Sequence, residues 1–284
     1  MKIGLCLNEY ASRYPLEKAA QYLRADGYDA VDCSELHNVL DAIYTDPESA
    51  VEKRLAEKKR ILSENGVSIA QVHGPWRYPP QDGTPEGRAE WLDYMKRCVR
   101  MASCLGAPYM VVHPLMPFGA NSPENPAKVI DLNVEHYMRL ASYAKEHNIT
   151  VCLENMPFPE LPLAHVDQIA EFVDGLGMKN LKVCLDTGHA SICGMPLYDA
   201  VRLLGNRLAT LHVHDNHGVH DEHLPPLAGT ADFKGFAAAL KEIGFAGVVS
   251  AEAHVGSGLN KRDFRVGARA MAKTLADIAG NSLK

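Results

Sequence analysis

The sequence predicts an α/β protein built as a single (β/α)8 TIM barrel, one domain over residues 1–284. Three observations carry that expectation. Eight short apolar or β-branched runs alternate with eight helical stretches along 284 residues, roughly 35 residues per unit, a pattern that requires parallel strands joined by right-handed crossovers. No linker, low-complexity tract or shift of composition divides the chain. Asn8-Glu9-Tyr10-Ala11, after the first run, holds no glycine, whereas an open doubly wound sheet usually carries a glycine-rich phosphate turn there.

In chain order, the first strand is expected at 2–8 and its helix at 16–25, stopped by Asp26 and Gly27. A second strand at 30–36 precedes a charged amphipathic helix at 47–64, opened by Pro47 and stopped by Asn65-Gly66. The remaining strands are expected at 67–73, 108–113, 149–154, 181–186, 208–214 and 247–254. Their helices fall at 86–105, 126–147, 165–176, 196–204, 233–243 and 263–279.

Composition narrows the function classes. Apolar residues are 46% and charged residues 23% of the chain, an ordinary globular balance that excludes wholesale disorder. The net charge of −6 gives no electrostatic footprint for a phosphate backbone or an anionic membrane. The opening apolar run at 3–7 is too short for a signal-peptide core or a membrane span, so a cytoplasmic protein with no membrane partner is expected. Seven cysteines form no CxxC pair, and several lie inside apolar runs as small hydrophobes, which suits a reducing compartment. The sequence allows a homo-oligomer.

Polar residues ending the strands should be read together, because a barrel of this kind builds its site at the C-terminal mouth. His73, His113, Glu154, Asp186, His212 with His214, and Glu252 with His254 end six consecutive strands. Glu154, Asp186 and Glu252 close the runs Val151-Cys152-Leu153, Val183-Cys184-Leu185 and Val248-Val249-Ser250-Ala251. A lone buried carboxylate costs several kcal/mol unless it is paired or metal-bound. A divalent cation is a common partner for all three. Glu154, Asp186, His212 and Glu252 form a hard, oxygen-rich ligand set that favours Mn²⁺, with Mg²⁺, Co²⁺ and Zn²⁺ as alternatives. Carboxylates held over a substrate carbon can also move its proton, while a metal stabilises enediolate oxygens, which is the chemistry of aldose–ketose interconversion.

The segments Leu153-Glu154-Asn155, Cys184-Leu185-Asp186-Thr187-Gly188-His189, His212-Val213-His214-Asp215-Asn216 and Asp221-Glu222-His223-Leu224-Pro225 resemble the xylose isomerase-like barrel superfamily. That superfamily holds sugar phosphate isomerases and epimerases and the endonuclease IV type of nuclease. The resemblance implies one Mn²⁺-like ion on Glu154, Asp186, His212 and Glu252, proton transfer by Glu154 and Glu252, and substrate orientation by His189 and Glu160. Related sugar 3-epimerases carry an arginine six residues after the strand-seven histidine. Here that position is Gly218, with His217 and His220 nearby.

The leading reading is therefore a metal-dependent isomerase or epimerase acting on a sugar, sugar phosphate or keto-polyol, with His73 and His113 also at the substrate. The nuclease branch is the alternative. His73, His113, His189, Asp221 and His223 would add ligands to reach a trinuclear zinc site, although no Lys/Arg cluster beside these motifs suits nucleic acid. A keto-acid dehydratase on the same barrel is a third enzymatic option, and a sugar-sensing or scaffold barrel is the non-catalytic one. Trp76 is a candidate for the apolar wall of a sugar face or, equally, for a loop anchor, and Arg77 is a lesser candidate for a phosphate contact. The proline-rich loop at 114–126 is a candidate lid, and His136 and His147, on or ending an outward-facing helix, receive no catalytic role.

Overall fold

A computed structural model describes residues 1–80, 82–118, 126–256 and 258–283. Eight parallel strands form one sheet: β1 (Lys2–Cys6), β2 (Ala30–Cys33), β3 (Ser68–His73), β4 (Tyr109–Val112), β5 (Thr150–Glu154), β6 (Leu181–Asp186), β7 (Leu208–His212) and β8 (Val248–Ala251). Neighbours follow chain order from β1 to β7, and β8 pairs with β1. The seam between β7 and β8 is narrowed by a parallel bridge at Val213 and Ala251: Val213 N–H donates to Ser250 O at 2.8 Å, and Glu252 N–H to Val213 O at 3.2 Å. The result is the (β/α)8 barrel expected from the alternation.

Ten helices lie among the described residues: α1 (Asn8–Ala11), α2 (Leu16–Asp26), α3 (Glu48–Glu64), α4 (Pro85–Leu105), α5 (Pro126–Glu146), α6 (Val166–Leu176), α7 (Thr187–Ile192), α8 (Leu197–Leu204), α9 (Phe233–Glu242) and α10 (Lys261–Ala279). Eight match expected helices. α1 and α7 are short additions directly after β1 and β6, too brief for a 3.6-residue periodicity to reveal. Local chemistry explains the boundaries: Thr84 accepts from Gly87 N–H at the start of α4, and Gly27, Gly106 and Gly177 end helices in the left-handed region. No described helix is long and apolar enough to cross a membrane.

Alternation along the strands sorts the residues. Val151, Leu153, Val183, Leu185 and Leu211 join the large core between sheet and helices, while Val111, Cys152 and Cys184 form a smaller cluster inside the barrel. Two residues beyond those cysteines, on the same inward face, come Glu154 and Asp186. The interior packing thus ends as the site begins. His136 differs from expectation. It sits beside Tyr137 at 5% exposure, and burial lowers its pKa to about 3. Of the loop read as a lid, residues 119–125 lie outside the described residues.

Candidate active site

A cavity of about 410 Å³ opens at the C-terminal mouth. His73, His113, Glu154, His189, Asp221, His223 and Glu252 line it, with Trp76, Tyr78 and Phe158 on one side. Among the described residues no lysine or arginine does so. Arg77 is instead paired with Asp82 and stacked over Trp91 at 4.0 Å.

Glu154 stands at the centre. Its Oε1 is 2.8 Å from His212 Nδ1, and its Oε2 is 3.0 Å from His113 Nε2 and 3.7 Å from His73 Nε2. From β8's end, Glu252 reaches the same His212 nitrogen at 3.1 Å. Asp186 is fixed from two sides. Its Oδ1 caps α7 by accepting from His189 N–H at 2.7 Å, and the Asn155 side chain pairs with its backbone through bonds of 2.9 and 3.0 Å. One ligand atom from each of Glu154, Asp186, His212 and Glu252 lies within 4.8 Å of the others, and the same holds for His73, Glu154 and His212.

A second group adjoins the first. His189, His214, Asp221 and His223 also bring ligand atoms within 4.8 Å of one another. His214 Nε2 is 2.9 Å from Asp186 Oδ1 and its ring stacks on His223 at 4.2 Å, while Asp221 Oδ2 lies 3.3 and 3.2 Å from the Nε2 atoms of His189 and His223. Gly188 makes room for this. A Cβ there would stand 1.9 Å from His214 Cε1, so the Thr187-Gly188-His189 turn needs glycine at its centre.

The electrostatics follow from burial and pairing. Burial would raise the Glu154 carboxyl, but His212 and His113 hold it well below the usual range. Burial likewise opposes charge on His212 and His189, yet Cys184, Glu154 and Glu252 keep the former well above an ordinary imidazole, and Asp186 and Asp221 bring the latter to about 10. His223 rises to about 9 beside Asp221 and Glu252 despite burial. His113 falls to about 4 because burial prevails over Glu154. Nδ1 of His113 and of His214 are buried without hydrogen-bond partners. Three carboxyl groups and an imidazole this close, with no lysine or arginine among the described lining residues, are a donor set that fits a divalent ion.

Apart from Arg77, the structure gathers every residue expected at the mouth except Glu160. That side chain is exposed in an outer groove with Ile130, Val134 and Phe172, because the chain turns after Phe158, whose carbonyl accepts from Leu161 N–H at 2.8 Å. Met156, Pro157 and Phe158 take the wall instead. Trp76 lies at the cavity with its ring 4.4 Å from His113. Sequence reasoning placed His214 at a strand end but gave it no role, and did not single out Asp32 or Glu9 as site residues. Asp32, inside Ala30-Val31-Asp32-Cys33, showed the same sign as Glu154, an acid in an apolar run.

The model of the xylose isomerase-like TIM barrel family matches residues 20–274. Inosose isomerase of Halalkalibacterium halodurans is 23% identical over 261 residues, covering 87% of this chain and 86% of that protein. The chain spans about half the length of several other curated relatives that it matches. A D-tagatose 3-epimerase-like protein is 26% identical, with TM-score 0.78 and coverage of 99% of this chain and 98% of that one. The IOLI protein with a bound zinc atom is 19% identical, with TM-score 0.76 and coverage of 100% of both chains, a likeness of fold.

Proposed function

This chain belongs to the xylose isomerase-like TIM barrel family, and from that premise we propose that it is a divalent-metal-dependent isomerase or epimerase of a sugar or sugar-derived ketone. One observation carries the reading. Glu154 and Glu252, from β5 and β8, converge on one His212 nitrogen at 2.8 and 3.1 Å beneath an open cavity.

Glu154, Asp186, His212 and Glu252 would hold the ion. When bound, a divalent cation, Mn²⁺ by preference, supplies an electrophile that lowers the energy of negative charge on substrate oxygens. One glutamate takes a proton from a carbon beside the carbonyl and the other delivers one, to the opposite face for epimerisation or, for isomerisation, to the former carbonyl carbon, with the hydroxyl proton passing to the former carbonyl oxygen. His73, His113 and His189 present imidazole nitrogens to substrate hydroxyls, and Trp76 offers a flat apolar surface. With no lysine or arginine among the described lining residues, the cavity suits an uncharged polyol better than a phosphorylated one.

The test is proton NMR in deuterium oxide on ketoses, cyclic inososes and sugar phosphates with metal-loaded protein. Loss of one carbon-bound proton signal, dependent on the metal, is expected. No exchange in any ketone overturns the reading.

The group of His189, His214, Asp221 and His223 favours a second reading, a multi-metal abasic-site nuclease. The net charge of −6 and a lining without lysine or arginine among the described residues stand against it. Cleavage of abasic DNA at low salt, with three zinc ions per chain, would reverse the order of the two readings.

A further inference from the structure

Beneath the mouth lies a chain of polar residues that the proposed chemistry does not use. Asp32, Gln71, Thr210 and His212 are all buried, at 0, 0, 3 and 0% exposure. Thr210 Oγ1–H donates to Gln71 Oε1. Gln71 Nε2 donates in turn to Asp32 Oδ2 at 2.7 Å and to Leu211 O at 3.4 Å. Asp32 Oδ2 also accepts from His212 Nε2–H at 3.0 Å. The other ring nitrogen of His212, Nδ1, is the one that faces Glu154 and Glu252.

The fold makes a special provision for this chain. Two of the described strand pairings carry a register shift. Between β2 and β3, Val31 pairs with Ile69 but Asp32 with Gln71, leaving Ala70 over. Between β6 and β7, Val183 pairs with Leu208 but Cys184 with Thr210, leaving Ala209 over. A one-residue slip exchanges the inward and outward faces of a strand, so each extra residue re-aims the side chains after it. The first sets Gln71 opposite Asp32, and the second brings Thr210 and His212 inward, with His212 opposite Asp186. Both irregularities therefore serve the same four side chains.

We propose that Asp32 is a positioning residue for the cation site: by accepting from Nε2–H it orients the His212 ring and reserves Nδ1 as the metal-binding nitrogen. A ligating histidine commonly donates its second ring N–H to an acceptor, which fixes tautomer and orientation and is worth about 10–100-fold in metal affinity. Gln71 holds the acceptor in place, since Thr210 occupies its oxygen and leaves its amide N–H for Asp32. The proposal rests on the metal-site reading above but not on the identity of the substrate.

Zinc affinity of the full-length, metal-stripped protein, measured by competition with a chelating dye, tests it on the wild type, Asp32→Leu and Asp32→Asn. Leucine has similar size and no acceptor; asparagine keeps an acceptor oxygen. Asp32→Leu is expected to bind zinc about 10–100-fold more weakly, with Asp32→Asn in between. Long-range ¹H–¹⁵N spectra of the zinc-loaded wild type should show His212 metallated at Nδ1 and protonated at Nε2. A merely structural role would lower the melting temperature of the metal-free variants and leave the zinc affinity of the folded protein unchanged. That result, or metal on Nε2, overturns the proposal. If Asp32→Leu does not fold, the nitrogen spectra of the zinc-loaded wild type decide it: metal on Nε2, or Nε2 without a proton, does the same. A wild type that binds zinc normally but exchanges no substrate proton defeats the isomerase reading alone; one that binds no zinc defeats both.

Discussion

Two groups of buried carboxyls in this molecule are neutralised in different ways. Asp26, at the end of α2, is fully buried and bound by Arg265 at 2.6 and 2.8 Å, by Arg269 at 3.2 Å and by the Tyr10 hydroxyl at 2.8 Å. Glu154 and Asp186, at the barrel mouth, are as deeply buried, but every cationic partner within reach among the described residues is a histidine. Arginine keeps its charge at any accessible pH, so the Asp26 group is a fixed tie between α2 and α10. Histidine can give up its proton and turn a lone pair toward an ion. The same electrostatic need is met by a strut in one place and by an exchangeable partner in the other.

Variants that remove a carboxyl from each group should separate these roles. The largest effect is expected at the mouth. Glu154→Gln and Glu252→Gln should each lower turnover about 10²–10⁴-fold, and Glu154→Gln should also lose the thermal stabilisation that the wild type gains from a divalent ion. Asp26→Asn should leave metal affinity unchanged and cost about 1.5–3 kcal/mol of stability by removing the carboxylate that Arg265, Arg269 and the Tyr10 hydroxyl bind, measured by chemical denaturation. Equal loss of metal binding in both classes would break the comparison.

The pH dependence should run in opposite directions. Burial tends to raise the Asp26 carboxyl, but Arg265 and Tyr10 hold it below its ordinary value. Its stabilisation is therefore complete above the unfolded pKa of about 4 and disappears as pH falls through the lower folded value, and the gap between wild type and Asp26→Asn should close in acid. His189 and His223, raised to about 10 and 9, stabilise the metal-free protein fully below about pH 6.5 and lose that contribution as pH climbs through 9 to 10. Denaturation of metal-free protein from pH 6 to 10 should show the decline, and a flat profile would contradict it. The smallest effect is expected at the wall: Trp76→Ala should raise KM roughly 3- to 10-fold with kcat nearly unchanged.

The sequence displayed the mouth more plainly than the strut. Glu154 and Asp186 each come after an apolar run of strand length, and alternation alone turns them inward after Cys152 and Cys184. Asp32 obeyed the same rule but sat within its run, and its partner Gln71 is set by a bulge that no periodicity announces. His214 lies two residues past His212, yet β7 ends at His212, and the bridge at Val213 turns His214 toward Asp186 rather than Glu154. Glu160 was expected at the mouth by resemblance, with no local pattern of its own, and the turn after Phe158 carries it outside. Asp26 looked like a helix terminator because its arginines are some 240 residues away in sequence.

Calorimetric titration of metal-free protein with Zn²⁺ and Mn²⁺ at neutral pH, repeated in buffers of different ionisation enthalpy, addresses the exchange of partners most directly. Binding should release protons, because His212 is held protonated between Glu154 and Asp32 and must free Nδ1 for the ion. Absence of binding, or binding whose heat does not vary with the buffer, would contradict the account.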